Sequence, residues 1–154
     1  PEAMPVTQWF DDSVPALIPE EWSLTARSAS GDRTWSYATL ERFDDRVIAT
    51  LDCTGGWFAE QEWEGVWLSR LLDGADARSV AVTSLTGYGR VFPVRDVGGL
   101  LLATRVGGMP LSAGHGSPAR LVAPGRRGFW WVKWATHIET TDRPWWLQPP
   151  FPLT

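Results

Sequence analysis

Two stretches of the chain hold residue types and spacings able to do chemistry. The first surrounds Cys53, the one cysteine among 154 residues. A β-rich run, Arg46 to Leu51, reaches Asp52-Cys53 and then passes into Thr54-Gly55-Gly56. A strand end followed by glycines is a common place to present a side chain in a cleft. A thiolate there is a soft ligand, suited to a soft or high-valent metal. The commoner fate of a lone cysteine is to pack as a small hydrophobe. Nucleophilic catalysis is a third reading. Neither histidine, His115 or His137, is placed by sequence next to Cys53, so that reading has little behind it.

The second stretch is basic and glycine-rich in an otherwise acidic chain. It runs His115-Gly-Ser-Pro-Ala-Arg120, Pro124-Gly-Arg-Arg-Gly-Phe129 and Val132-Lys133-Trp134. His115, Arg120, Arg126, Arg127 and Lys133 fall within nineteen positions. Glycines let backbone amides approach an anion, and arginine offers a planar fork to phosphate. A solvated basic loop is the plain alternative. The chain has no GxGxxG or GxxxxGK[ST] motif, no HExxH, no Cys/His cluster for zinc and no GxSxG. These absences remove the commonest nucleotide-binding, zinc and serine-hydrolase classes.

The elements that must position these residues read as an α+β domain of many short strands. Residues 1–21, punctuated by Pro1, Pro5, Pro15 and Pro19, read as an irregular arm. Trp22 to Arg27 alternates as a strand does, and Ser30-Gly31-Asp32 signals a turn. Ser36 to Phe43 reads as a short helix capped by Ser36. Gly65 to Leu72, with Val66, Ser69 and Leu72 spaced by threes, reads as a second helix. Strands are expected at Ser79–Ser84, Arg90–Phe92, Leu100–Thr104, Arg120–Ala123 and Val132–Thr140, with a hairpin-type turn at Gly107-Gly108. The proline-rich tail from Arg143 to Thr154 cannot be regular structure.

Composition bounds the rest. The length suits a single domain over 1–154. A net charge of -4 gives no general reason to expect nucleic acid as partner, so any basic site must be local. Eleven tryptophans imply a Trp-rich core, a walled cleft for a flat ligand, or both. The doublets Trp130-Trp131 and Trp145-Trp146 fit core packing least well. One cysteine allows no internal disulfide. No apolar run is long enough to span a bilayer, so this chain is expected to be soluble. It begins at Pro1 rather than Met, as a piece of a longer protein would. An upstream signal or membrane tether, and an extracytoplasmic location, are compatible with that.

Taken in order, the two stretches resemble the molybdopterin-binding domain of the sulfite oxidase family. Leu51-Asp-Cys-Thr-Gly-Gly-Trp57 and Trp63-Glu-Gly-Val-Trp-Leu-Ser-Arg-Leu-Leu72 are similar to the segment presenting that family's molybdenum-ligating cysteine. Gly107-Gly-Met-Pro-Leu111, His115-Gly-Ser-Pro-Ala-Arg120, Pro124-Gly125, Gly128 and Val132-Lys133-Trp134 resemble its pterin-binding second half. Pro15 to Thr25 is similar to its entry segment. The resemblance implies molybdenum with molybdopterin as cofactor and Cys53 as the metal ligand. It places Trp57 beside Cys53 at the catalytic centre. It makes Thr54, Gly55, His115, Arg120, Gly128 and Lys133 cofactor-binding residues. The organic cofactor carries the redox chemistry, and the protein orients and tunes it.

Departures from the pattern bear on substrate. No arginine follows Cys53 until Arg70, where sulfite oxidases place arginines for their anionic substrate. The family's early Arg-Asn-His element has no counterpart, and the last tyrosine is Tyr88. Two cofactor-facing positions of the family fall on Trp130 and Trp131, which predicts a less cationic, more aromatic cleft. The Cys-x-x-x-Trp spacing is closer to the bacterial methionine-sulfoxide reductase branch. The expected function is oxygen-atom transfer to or from a small S- or N-oxide. No haem or flavin motif appears, so electrons would pass through a separate partner, such as an upstream membrane cytochrome. The alternative is a non-catalytic binding module with a degraded cofactor site and tryptophans that stack on a ligand.

Overall fold

The computed structural model describes residues 14–15, 17–52, 58–72 and 76–149. Two five-stranded sheets contribute to one buried core. The first sheet runs β2-β1-β10-β5-β6. Its strands are β1 (Ser23–Ser28), β2 (Gly31–Ser36), β5 (Ser79–Ser84), β6 (Gly89–Pro93) and β10 (Ala135–Thr141). β1 and β10 are parallel and the other pairs antiparallel, so the sheet is mixed. The second runs β3 (Asp45–Asp52), β4 (Phe58–Trp67), β7 (Leu101–Val106) and β8 (Met109–Pro110). A further strand, β9 (Arg120–Val122), joins it by pairing with β7.

Local chemistry explains most of these elements. Leu24 and Ala26 of β1 alternate inward, and the Trp22 indole donates to the Ala135 carbonyl at 3.1 Å, tying the start of β1 to β10. Strand β5 lies between β10 and β6, so five of its six residues are buried and its sequence is a continuous Ser-Val-Ala-Val-Thr-Ser run. The expected helix after Ser36 is α1 (Tyr37–Leu40), and the Ser36 hydroxyl caps it by accepting from the Thr39 amide at 3.2 Å. Gly107 and Gly108, with φ of 59° and 79°, make the turn between β7 and β8. At the sheet edge the Gln148 side chain pairs with the main chain of β6. Its Oε1 accepts from the Val91 amide at 2.9 Å and its Nε2 donates to the Val91 carbonyl at 2.6 Å. The tail thus covers the centre of an otherwise open edge strand.

Two expectations need correction, and one strand, β2, was not anticipated. Gly65–Leu72 is not a helix: β4 continues to Trp67, and only Leu68–Arg70 turn, as a single 3-10 turn. The spacing by threes reflects that turn together with a strand lined on both sides, by β3 and β7. Strand β2 carries almost no apolar alternation, because it is an exposed edge on which Trp35 alone is half-buried. The strand expected from Val132 begins only at Ala135, for a reason that belongs to the site. Most of the irregular arm, residues 1–13, and the end of the tail, 150–154, lie outside the described residues.

Candidate functional site

Strand β8 and the strand β9 lie along the same side of β7, and residues 111–119 connect them. This loop carries His115. Ala113–His115 form a 3-10 turn that ends at Gly116, whose φ is 111°. A Cβ at Gly116 would stand 2.9 Å from the Arg120 Cβ and 3.4 Å from the Lys133 Cβ. Glycine is therefore required twice here, for the left-handed backbone and for letting the loop lie against both cationic residues. Each carbonyl of the turn is taken by a separate side chain. The Trp134 indole donates to Ala113 O at 2.8 Å, Lys133 Nζ to Gly114 O at 2.8 Å, and Arg120 Nη1 to His115 O at 3.0 Å. The His115 Nδ1 lies 2.6 Å from the Ser112 hydroxyl, which fixes the ring's orientation. His115, Arg120 and Lys133 thus converge on one turn.

Electrostatics single out Arg120. It is 1% exposed and has no carboxylate partner among the described residues. Its Nη2 donates to the Trp131 carbonyl at 3.3 Å, and its buried Nε has no partner. The guanidinium lies 5.3 Å from the Trp63 ring and 5.8 Å from the Trp131 ring, so two aromatic rings add to the negative potential of the two carbonyls. Burial pushes its pKa down to about 10. A buried cation with an unused donor and no counter-charge is the environment a bound anion would complete. The residues present therefore fit the phosphate-bearing group of a molybdopterin.

The other cations of the basic stretch do not join this cluster. Arg126 is committed to Asp96 at 2.9 Å, and Arg127 is exposed. Gly128 opens the 3-10 turn Gly128–Trp130 and is half-buried. The aromatic-cleft expectation for Trp130 and Trp131 is corrected by their packing. Trp131 is 2% exposed, with its ring edge-on to Trp63 at 5.5 Å. Trp130 is half-buried, with the guanidiniums of Arg90 and Arg126 at 4.2 and 4.3 Å from its ring centroid. Both are packing residues.

Cys53, Thr54, Gly55 and Trp57 lie between β3, which ends at Asp52, and β4, which begins at Phe58, and they are outside the described residues. Sequence reasoning missed Ser112 and Trp134 as parts of the site. The Val-Lys-Trp motif drew attention to its lysine, and nothing in the sequence announced that the neighbouring indole reaches the same turn. It also missed Arg90, which is buried, donates to the Pro149 carbonyl at 2.7 Å and has its pKa lowered chiefly by burial.

Comparisons with known proteins bear on the family and the fold. Over 45 residues, 29% of this chain, it is 49% identical to a nitrate reductase [NADPH] of Mycosarcoma maydis, of which the match spans 5%. In fold it is similar to the sulfane dehydrogenase SoxCD from Paracoccus pantotrophus, with a TM-score of 0.78 and 24% identity over 84% of this chain and 40% of that one. The chain therefore spans well under half the length of these proteins. The family model for the oxidoreductase molybdopterin-binding domain matches residues 11–147. With a sulfite oxidase-like fold and a buried cation cluster on the loop where that cofactor's anionic group is expected, the chain belongs to the oxidoreductase molybdopterin-binding domain family.

Proposed function

We propose that this domain binds molybdopterin and serves oxygen-atom transfer on a small neutral S- or N-oxide, with electrons supplied through a separate partner. The observation that carries the reading is the buried Arg120, with no carboxylate partner among the described residues, which with Lys133 grips the turn carrying His115. When bound, the cofactor supplies a metal able to cycle between oxidation states and exchange an oxygen atom. The protein's own part is to bind and orient. Arg120 would neutralise the cofactor's phosphate in a site of low dielectric, where a charge-assisted contact is strong. Lys133 would hold the turn through Gly114 O and add a second positive charge beside it. His115, its ring fixed through Nδ1 by Ser112, would stand beside the pterin. Cys53 would supply the thiolate to the metal, with Trp57 close by.

The neutral-substrate part of the reading draws on the fate of the nearest downstream arginine. Arg70 forms an ion pair with Asp45 at 3.1 Å and lies over the Phe43 ring at 5.9 Å. That ion pair ties its exposed side chain to the start of β3, so it is no ready substitute for the substrate-binding arginines of a sulfite oxidase. The reading is tested on protein purified from a molybdenum-replete host. Molybdenum and pterin should be present at one each per chain, and a dithionite-reduced viologen should be reoxidised when a sulfoxide or N-oxide is added. Protein that takes up neither metal nor pterin would leave the binding-module alternative.

A further inference from the structure

The geometry points to Trp134 as a positioning residue that sets the Ala113–Gly116 turn, and with it His115, in register for the cofactor. This rests on the cofactor reading above. Trp134 is the only described non-glycine residue with positive φ, at 51°. That left-handed conformation is disfavoured for any side chain bearing a Cβ, and a bulky aromatic gains nothing locally from it. Such backbone persists only where the surroundings over-determine it.

Four hydrogen bonds do so here. Just before Trp134, the Val132 carbonyl accepts from the Leu121 amide at 2.8 Å, so the chain is still running beside β9. Immediately after it, the Ala135 amide donates to Ala119 O at 3.0 Å, and β10 begins its pairing with β5. Between them, the Trp134 carbonyl accepts from the Leu85 amide at 2.8 Å, and its indole donates to Ala113 O. The positive φ is therefore the joint at which the chain leaves one sheet for the other. This also explains why the strand expected from Val132 starts late.

Glycine would adopt this joint with less strain, yet the residue is a tryptophan buried to 1% exposure. Its ring is what glycine would lack. The indole N–H fixes Ala113 O at the start of the turn, while Lys133, one residue earlier, fixes Gly114 O. Two adjacent residues on the strained segment thus grip two adjacent carbonyls of the turn. Arg120 takes the third, at His115. Of these three clamps Trp134 is the uncharged one, so its contribution is geometric and carries no charge to the cofactor.

The test compares Trp134→Phe, which keeps most of the ring and removes the N–H, with Val80→Ala. Val80 is a buried residue on β5 that pairs with Thr140, toward the far end of β10. In cofactor-free protein, amide exchange at Gly116 and Ser117, whose N–H groups donate to Ala113 O and Ser112 O, should quicken about tenfold in Trp134→Phe. Amides of the β5–β6 ladder should not change. Val80→Ala should give the reverse pattern. In cofactor-loaded protein, Trp134→Phe should lose bound pterin at least tenfold faster than wild type, and Val80→Ala at the wild-type rate. Trp134→Asn, which tolerates the left-handed backbone but has no indole, should show both effects more strongly. Unchanged exchange at Gly116 and Ser117 would overturn the assignment, as would equal pterin loss from Val80→Ala. If wild type holds no pterin, the cofactor reading fails, and the exchange comparison still decides whether Trp134 sets the turn.

Discussion

At the scale of single residues, Arg120 is a group kept against its own stability. A pKa held down at about 10 means that the charged form is penalised in the folded state by about 3 kcal/mol. The sign follows from the direction. The folded pKa lies below the unfolded one, so the penalty is fully present below about pH 10 and is relieved only as the pH rises from there toward the usual arginine range. At neutral pH the apoprotein carries all of it. Two hydrogen bonds to carbonyls and two aromatic faces offset it. Arg120→Met, which removes charge and donors together, should therefore change apoprotein stability by no more than about 2 kcal/mol in urea unfolding. The same substitution should weaken pterin retention at least tenfold. Loss of more than about 4 kcal/mol with the cofactor retained would make Arg120 a purely structural residue. Cys53→Ser bears on the metal itself. With no other thiol in the chain, X-ray absorption on loaded protein should show one sulfur scatterer fewer at molybdenum. An undiminished sulfur count would exclude Cys53 as ligand.

Among the elements, β4 shows what sequence patterns convey and what they hide. Strands β5 and β6, helix α1 with its Ser36 cap, and the Gly107-Gly108 turn were all legible, because each is set by local chemistry or by a short continuous β-rich run. The end of β4 was not. It lies between two strands, carries a register shift between Glu64 and Gly65, and so buries Trp63, Glu64, Gly65 and Val66 in succession. Period 2 is lost, and a spacing by threes takes its place. The cation cluster was legible as a list of basic residues on a glycine-rich stretch. Which of them converge was not, because that depends on where β9 pairs with β7 and on the joint at Trp134. One glycine marks the misread strand. A Cβ at Gly65 would lie 1.9 Å from the Leu102 carbonyl oxygen and 2.8 Å from the Ala103 Cα, both backbone atoms of the neighbouring β7. No side-chain rotation can relieve that contact. Gly65→Ala should cost at least ~3 kcal/mol. In a domain of this size that is a fall in Tm of roughly 6–12 °C. A Tm within about 2 °C of wild type would show that β4 and β7 separate more readily than their close approach implies.

For the whole molecule, the distribution of positive charge bears on the choice of substrate. The net charge is -4, and the described ion pairs commit Arg27 to Asp32, Arg46 to Glu62, Arg70 to Asp45 and Arg126 to Asp96. Arg120 and Lys133 direct donors to the carbonyls of the His115 turn, and Arg90 is buried against Trp130 and the tail. These seven of the fourteen cationic residues thus serve the fold and the proposed cofactor site. A doubly charged anion entering a cleft needs cations to replace its hydration. Sulfite oxidases place arginines after the cysteine and a tyrosine late in the domain, and this sequence has neither. The absence of two charged contacts corresponds to roughly 3–6 kcal/mol of binding or transition-state stabilisation. In rate that is on the order of a hundredfold to ten-thousandfold. Metal-loaded protein should therefore oxidise sulfite, with an artificial electron acceptor, at a kcat/KM at least about a hundredfold below that for reduction of its best sulfoxide or N-oxide. The panel should include nitrate, because the nitrate reductase it partly matches is named for an oxyanion. Raising the ionic strength separates the two kinds of substrate further. Screening should slow an anion drawn in by positive potential and leave a neutral oxide unaffected. Sulfite or nitrate turned over faster than every neutral oxide, with a rate that falls as salt is added, would overturn the neutral-oxide reading and show that positive potential serves the substrate.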